Sequence, residues 1–322
     1  MIVRFIIHNL WLVDLLGLLI IPLLLFLAVR FIGRRRHPKR RIVIGILLAL
    51  LAAATYAYGR YLGTRQLEVR HVELTFKDLP EAFDGYRMVQ VSDLHLGSLP
   101  DGMLKRVVDS VIAQKPDLIV FTGDMMNCVS TEVEQQLPQL KRLKATDAIV
   151  SVLGNHDYGN YEFVNPMLAD DDEGRVVSHQ IDMKWRVLMN GYRYVRRGDS
   201  RLVLAGMEND GEKPEFQHGD LSSAMNGIRR TDFVVMLEHD PTCWRRKILR
   251  HCHAQLTLSG HTHGGQINLF GWSPASLRYR EVEGLYTIGD RSLYVSKGVG
   301  GAIPFRLGAK PEIVEIILRK KL

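Results

Sequence analysis

Five short polar clusters hold the residue types that bind metals and move protons. They are Ser92-Asp93-Leu94-His95, Thr122-Gly123-Asp124, Gly154-Asn155-His156-Asp157, Glu238-His239-Asp240-Pro241 and Gly260-His261-Thr262-His263-Gly264-Gly265. Carboxylates, imidazoles and an amide oxygen make a mixed nitrogen–oxygen set. That set suits Mn, Fe or Zn better than Ca, which takes oxygen ligands only. Asp93 and His95 stand two apart, as do His261 and His263. In an extended segment each pair would project to one side. Taken singly, each cluster is a weak signal. An Asp-x-His pair is more often a cap beside a surface histidine, Gly-Asp is common turn chemistry, and an isolated His239 is more often structural.

Joint placement changes the weight. Each cluster directly follows a short apolar run: MVQV, LIVF, IVSVL, FVVML and LTLS. The runs at 88–91, 118–121, 149–153, 202–205, 233–237 and 256–258 read as buried strands. Between the first two, Met103, Leu104, Val107, Val108, Val111 and Ile112 recur at helical spacing. Residues 131–144 read as a further helix, 170–174 (DDDEG) as a solvated loop, and 275–318 as strand-rich. This alternation predicts an α/β domain with a parallel core. In such sheets ligands bind beyond the carboxyl ends of the strands, so five clusters at five strand ends face one crevice. Of the 12 histidines, His8, His37, His71, His179, His218, His251 and His253 lack this setting. His251-x-His253 repeats the spacing but precedes its strand.

The net charge is +7, yet its distribution argues against nucleic acid. Residues 1–64 hold nine of the 42 basic residues and one of the 35 acidic ones, Asp14, which leaves residues 65–322 with one net negative charge. A neutral body without a basic, aromatic stripe predicts no nucleic-acid partner. Three cysteines, Cys128, Cys243 and Cys252, are too few and too scattered for a disulfide framework or a zinc ribbon. Two apolar segments, about 10–32 and 42–62, are long enough to cross a bilayer as helices. Between them lies GRRRHPKRR, with Arg34, Arg35, Arg36, Lys39, Arg40 and Arg41. The positive-inside rule keeps that loop cytoplasmic and turns both outer ends, and the body, outward. Trp11, Tyr56, Tyr58 and Tyr61 sit where an aromatic belt belongs, Asp14 falls near the outer boundary, and Pro22 is positioned to kink the first helix. The expectation is therefore a multi-pass anchor at 1–64 in the cytoplasmic membrane and an extracytoplasmic domain at 65–322, with the cytoplasmic face as the alternative.

The motifs SDLHLG, TGD, GNHD, LEHDP and SGHTHGGQ, with the lead-in LPEAFDGYRMVQVSDLHLG at 79–97, resemble the calcineurin-like metallophosphoesterases. Over residues 68 to about 318 they look most like the bacterial, membrane-associated YkuE-like branch. The resemblance implies a four-layer αββα sandwich holding two divalent metals, manganese first and Fe, Zn or Mg as alternatives, about one bridging hydroxide. Asp93, His95, Asp124 and His263 would hold the first metal, and Asp124 would bridge. Asn155, His239 and His261 would complete the second. His156 would face the substrate phosphate, with Asp157 orienting it. The Asp-Arg-Gly extension of protein phosphatases is absent, since Met125-Met126 follows Asp124, which argues against a phosphoprotein substrate. The implied activity is that of a phosphodiesterase or pyrophosphatase on a lipid-linked or cell-envelope phosphoester, a small-molecule or lipid substrate met at the bilayer. One rival is a UDP-2,3-diacylglucosamine hydrolase, which needs the opposite topology. Another is a membrane-tethered, non-catalytic scaffold, which the complete ligand set disfavours. Phe270 and Trp272 are further candidates for substrate contact.

Overall fold

The computed structural model describes residues 2–31 and 38–321. Arg34, Arg35 and Arg36 of the basic loop lie outside the described residues, while Lys39, Arg40 and Arg41 open the second long helix. Helices α1 (Leu10–Phe31) and α2 (Pro38–Arg65) are long and apolar enough to cross a membrane. They meet through small residues. A Cβ on Gly17 would lie 2.3 Å from the Tyr56 ring, and one on Gly45 would lie 3.0 Å from Phe26. Their remaining apolar surface turns outward, with Leu19, Leu47, Leu50 and Leu51 among the most exposed. The π-helical turn Leu16–Ile20 ends two residues before Pro22, where the proline ring would otherwise crowd the preceding turn. Asp14 is paired, accepting from Tyr56 Oη at 2.9 Å and from Arg60 Nε at 3.0 Å.

The body holds two six-stranded sheets. The first contains β1 (Glu68–Phe76), β2 (Tyr86–Val91), β3 (Leu118–Thr122), β4 (Ala148–Val152), β5 (Arg186–Val187) and β12 (Glu312–Lys320), in the order β1-β12-β2-β3-β4-β5. The second contains β6 (Gly191–Arg197), β7 (Ser200–Gly206), β8 (Val234–Leu237), β9 (Leu256–Ser259), β10 (Gly284–Ile288) and β11 (Arg291–Val295), in the order β10-β11-β9-β8-β7-β6. Strands β2 to β5 run parallel, as do β7, β8, β9 and β11.

Alternate residues of each strand serve different layers. Met88, Val120 and Val152 of the first sheet share one core with Leu204, Leu237 and Leu258 of the second. The intervening Val89, Val91, Ile119 and Phe121 pack beneath α3 (Met103–Ala113), α4 (Thr131–Leu140) and α5 (Pro166–Asp182). On the far side, Val203, Val234 and Met236 lie under Ala224, Trp244 and Ile248. This is the four-layer αββα arrangement. Burial on both faces explains why the strands read as continuous apolar runs.

Two expectations need correction. Helix α4 stops at Leu140 instead of 144, because the chain must turn to enter β4. The acidic run 170–174 is no loop; it lies within α5. Asn165 caps that helix by accepting from Met167 N at 3.1 Å, with Pro166 at its first position. Asp172 then turns inward, accepting from Ser130 N and Oγ.

Candidate metal centre

The loops leaving β2, β3, β4, β8 and β9 bring the seven candidate ligands together. Asp93, His95, Asp124 and His263 offer atoms within 4.8 Å of one another, and so do Asp124, His239 and His261. Asp124 belongs to both groups, its Oδ2 lying 3.5 Å from His95 Nε2 and 3.2 Å from His239 Nε2. Asn155 joins the second group, with Oδ1 2.7 Å from His261 Nδ1 and 3.2 Å from His239 Nε2.

The backbone reaches this arrangement differently from the extended geometry expected. Asp93 (φ 52°), His95 (45°), Asp124 (58°), His261 (72°) and His263 (54°) all adopt left-handed conformations. Each costs a non-glycine residue on the order of 1 kcal/mol or more, and such strain gathers at functional sites. Neighbouring chain holds it in place: Asp93 N donates to Gly123 O at 2.9 Å and His95 N to Asp124 O at 3.1 Å. Gly260 sits against the same turn; a Cβ there would fall 2.2 Å from Asp93 Oδ2.

The outer bonds orient the imidazoles. His239 Nδ1 donates to Thr122 O at 2.7 Å, which turns Nε2 toward Asp124; burial lowers this imidazole, but the charges of Asp124 and Asp93 outweigh it and raise it well above its ordinary value. His95 Nδ1 lies 3.1 Å from Asn127 Oδ1. Among the described residues, His95 Nε2 and His263 Nδ1 are buried without a hydrogen-bond partner. Orphaned imidazole nitrogens beside a shared carboxylate are the donor set that a divalent metal satisfies. Burial holds the His95 imidazole down at about 3 and lowers His261 and His263 as well; neutral imidazole is the form that ligates. Burial pushes Asp93 up to about 7, with the Asp124 charge adding to it. Burial alone would also raise Asp124, but the His239 imidazole, which carries charge and bonds it, outweighs burial and holds that carboxylate well below its usual range.

Residues 86–272 match the calcineurin-like phosphoesterase family. The chain belongs to that family. It is 33% identical to the uncharacterized metallophosphoesterase YkuE of Bacillus subtilis, over 88% of this chain and 99% of that one. It is 28% identical to a zebrafish (Danio rerio) transmembrane protein with a metallophosphoesterase domain, over 90% of this chain and 67% of that one. A solved structure similar to it is that of the phosphopantetheinyl hydrolase of Mycobacterium tuberculosis, with a TM-score of 0.45 and 12% identity over 67% of this chain and 91% of that one. Membership makes the protein a hydrolase acting on phosphoester bonds.

In this phosphoesterase His156 lies beside the shared carboxylate. Its backbone N–H donates to Asp124 Oδ1 at 2.8 Å, and its ring Nδ1 donates to Asn127 O at 2.6 Å. The ring stacks on Tyr161 at 4.1 Å between centroids. Asp157 does something other than orient that ring. Its buried carboxylate accepts from Gly154 N, Asp124 N and Met125 N at 2.8–2.9 Å and from Met126 N at 3.2 Å, so it shapes the Asp124 turn.

The sequence reading missed several residues of the phosphoesterase site. Asn127 serves both His95 and His156. Tyr161 accepts from Asn155 Nδ2 at 2.9 Å, and Tyr279 Oη lies 3.0 Å from His261 Nε2. Tyr161, Phe216, Lys213, Arg278 and Tyr279 line a cavity of about 170 Å³ that reaches Asn155 and His261. Only Asn127, three residues past Asp124, carried a positional hint. Phe270 and Trp272 do not line this cavity; they stand exposed on a turn.

Proposed function

We propose that residues 1–64 anchor this phosphoesterase in the cytoplasmic membrane as a two-helix hairpin, and that the domain at 65–322 works outside the cytoplasm. Its substrate is a lipid-linked or cell-envelope phosphodiester or pyrophosphate. The observation that carries the reading is the pair of ligand groups sharing Asp124 at the carboxyl ends of the parallel strands. Asp93, His95, Asp124 and His263 would hold one divalent ion, and Asp124, Asn155, His239 and His261 a second, with manganese the first candidate. Bound there, the ions supply Lewis acidity and activate water at neutral pH.

The chain's own residues do the rest. The His156 imidazole is kept neutral by burial, and its Nδ1 is engaged by Asn127 O. Nε2 therefore takes a proton from solvent water when an anionic phosphoryl group arrives, and donates it to the leaving oxygen as the P–O bond breaks. Tyr161 holds that ring flat. Lys213 and Arg278 offer cations to the part of the substrate beyond the scissile phosphate. The outward apolar surface of α1 and α2 supports the membrane placement, since a water-soluble domain rarely exposes so large an apolar area.

The test uses full-length protein stripped of metal and then given Mn²⁺. It follows hydrolysis of bis(p-nitrophenyl) phosphate and p-nitrophenyl phosphate. Metal-dependent turnover favouring the diester, absent from Asp124→Asn, is the expected result. Two bound metals with turnover of the monoester alone would overturn the diester assignment.

A further inference from the structure

The mouth of the site is flanked by two exposed apolar lips, and each is joined to one end of the anchor. The first lip opens α5. Val164 and Met167 there are 92% and 78% exposed, and Leu168 about half. Two residues before Val164, Glu162 bonds His8 Nε2 at 2.9 Å, just ahead of α1. The second lip is the turn that carries Leu269, Phe270 and Trp272, with Leu277 following at 82% exposure. Its stem pairs with residues 307–308, through Asn268 N to Leu307 O at 2.8 Å and Leu307 N to Gln266 O at 2.9 Å. The neighbouring Phe305 stacks on Tyr56 of α2 at 5.8 Å, and Arg306 N donates to Gly59 O at 2.9 Å.

Both lips also feed the cavity. Tyr161 precedes the first lip, and Arg278 and Tyr279 follow Leu277 in the second. The anchor therefore contacts the body at the metal-site end, next to the strand-end loops. Large apolar side chains standing clear of the body on both rims, with tryptophan among them, are what a protein surface presents to the interfacial region of a bilayer. Arg306 fixes the geometry. Its buried guanidinium donates to the carbonyl oxygens of His263, Lys297, Gly298 and Gly300, so the anchor contact and a candidate ligand share one joint.

The geometry points to the occupant: the two lips seat in the surface of the same bilayer that α1 and α2 cross, and the cavity opens onto the headgroup layer. This rests on the anchor reading proposed above. It narrows the substrate class to phosphoesters whose scissile group lies at headgroup depth in the membrane, with the lipid left in place during hydrolysis.

The test reconstitutes full-length protein in phosphatidylglycerol/phosphatidylcholine vesicles whose acyl chains carry bromine. Trp272 emission is taken as the difference between the native chain and Trp272→Phe, and Trp11 emission as the difference from Trp11→Phe. The expected result is quenching of both, with Trp272 blue-shifted, and a roughly twofold loss of the Trp272 quenching in Leu269→Ser/Leu277→Ser. Trp11 quenched with Trp272 unquenched would overturn the lips and leave the anchor standing. Both unquenched would overturn the two together.

Discussion

The chain carries two His-x-His pairs ten residues apart, and the fold treats them in opposite ways. His261 and His263 leave the carboxyl end of β9 in left-handed turns, and both have partners among the other candidate ligands. His251 and His253 lie before β9, where a short helix ends, with His251 exposed, and among the described residues neither belongs to a group able to hold a metal. Residue type and spacing are identical. What differs is the end of the strand, and in a parallel sheet only the carboxyl ends gather several loops on one crevice.

The strongest way to break this contrast is to remove the residue both ligand groups share. Asp124→Asn should lower diester turnover by roughly 10⁴-fold and release metal, read by inductively coupled plasma mass spectrometry alongside rate. Next, His263→Ala should cost about 10³-fold with loss of part of the metal, whereas His253→Ala stays close to the native rate. Equal losses in the two would mean that strand end does not matter. His156→Ala should reduce kcat by about 10²-fold and leave the metal content intact; loss of metal would make His156 a ligand instead.

The smallest effect belongs to a residue outside the two ligand groups. Burial, with Glu208 and Asp170 nearby, pushes Glu173 of α5 up to about 7 from its ordinary 4.5. A raised carboxyl keeps its proton longer in the folded state, so stability falls as pH rises from about 4.5 to 7 and is level above. Glu173 is partly exposed, so screening reduces the effect. Glu173→Gln should raise Tm by on the order of 1 °C at pH 8 and leave it unchanged at pH 4, read by differential scanning calorimetry.

Much of this was legible in the residue order. Buried parallel strands announce themselves as apolar runs, and the polar clusters stand where those runs stop. The backbone conformation of the ligands was not legible. The left-handed turns at Asp93 and His95 depend on Gly123 O, Asp124 O and Gly260, which come from other loops, some more than 160 residues away. Asp157 reads as a partner for its neighbour His156, yet its carboxylate is drawn to the N–H groups of the Asp124 turn. Tyr161 and Tyr279 carry no mark in the sequence, because an aromatic ring becomes a wall of the cavity only once two loops meet. The acidic stretch in α5 misled because local polarity hides a helix whose buried face includes Val176 and Asp172.

The most direct measurement is the metal content of the purified full-length protein after incubation with Mn²⁺ and desalting, set beside that of Asp124→Asn. Two equivalents per chain in the native protein, falling sharply in the variant, are expected. A native chain that retains no manganese, iron or zinc above trace would contradict the dinuclear site.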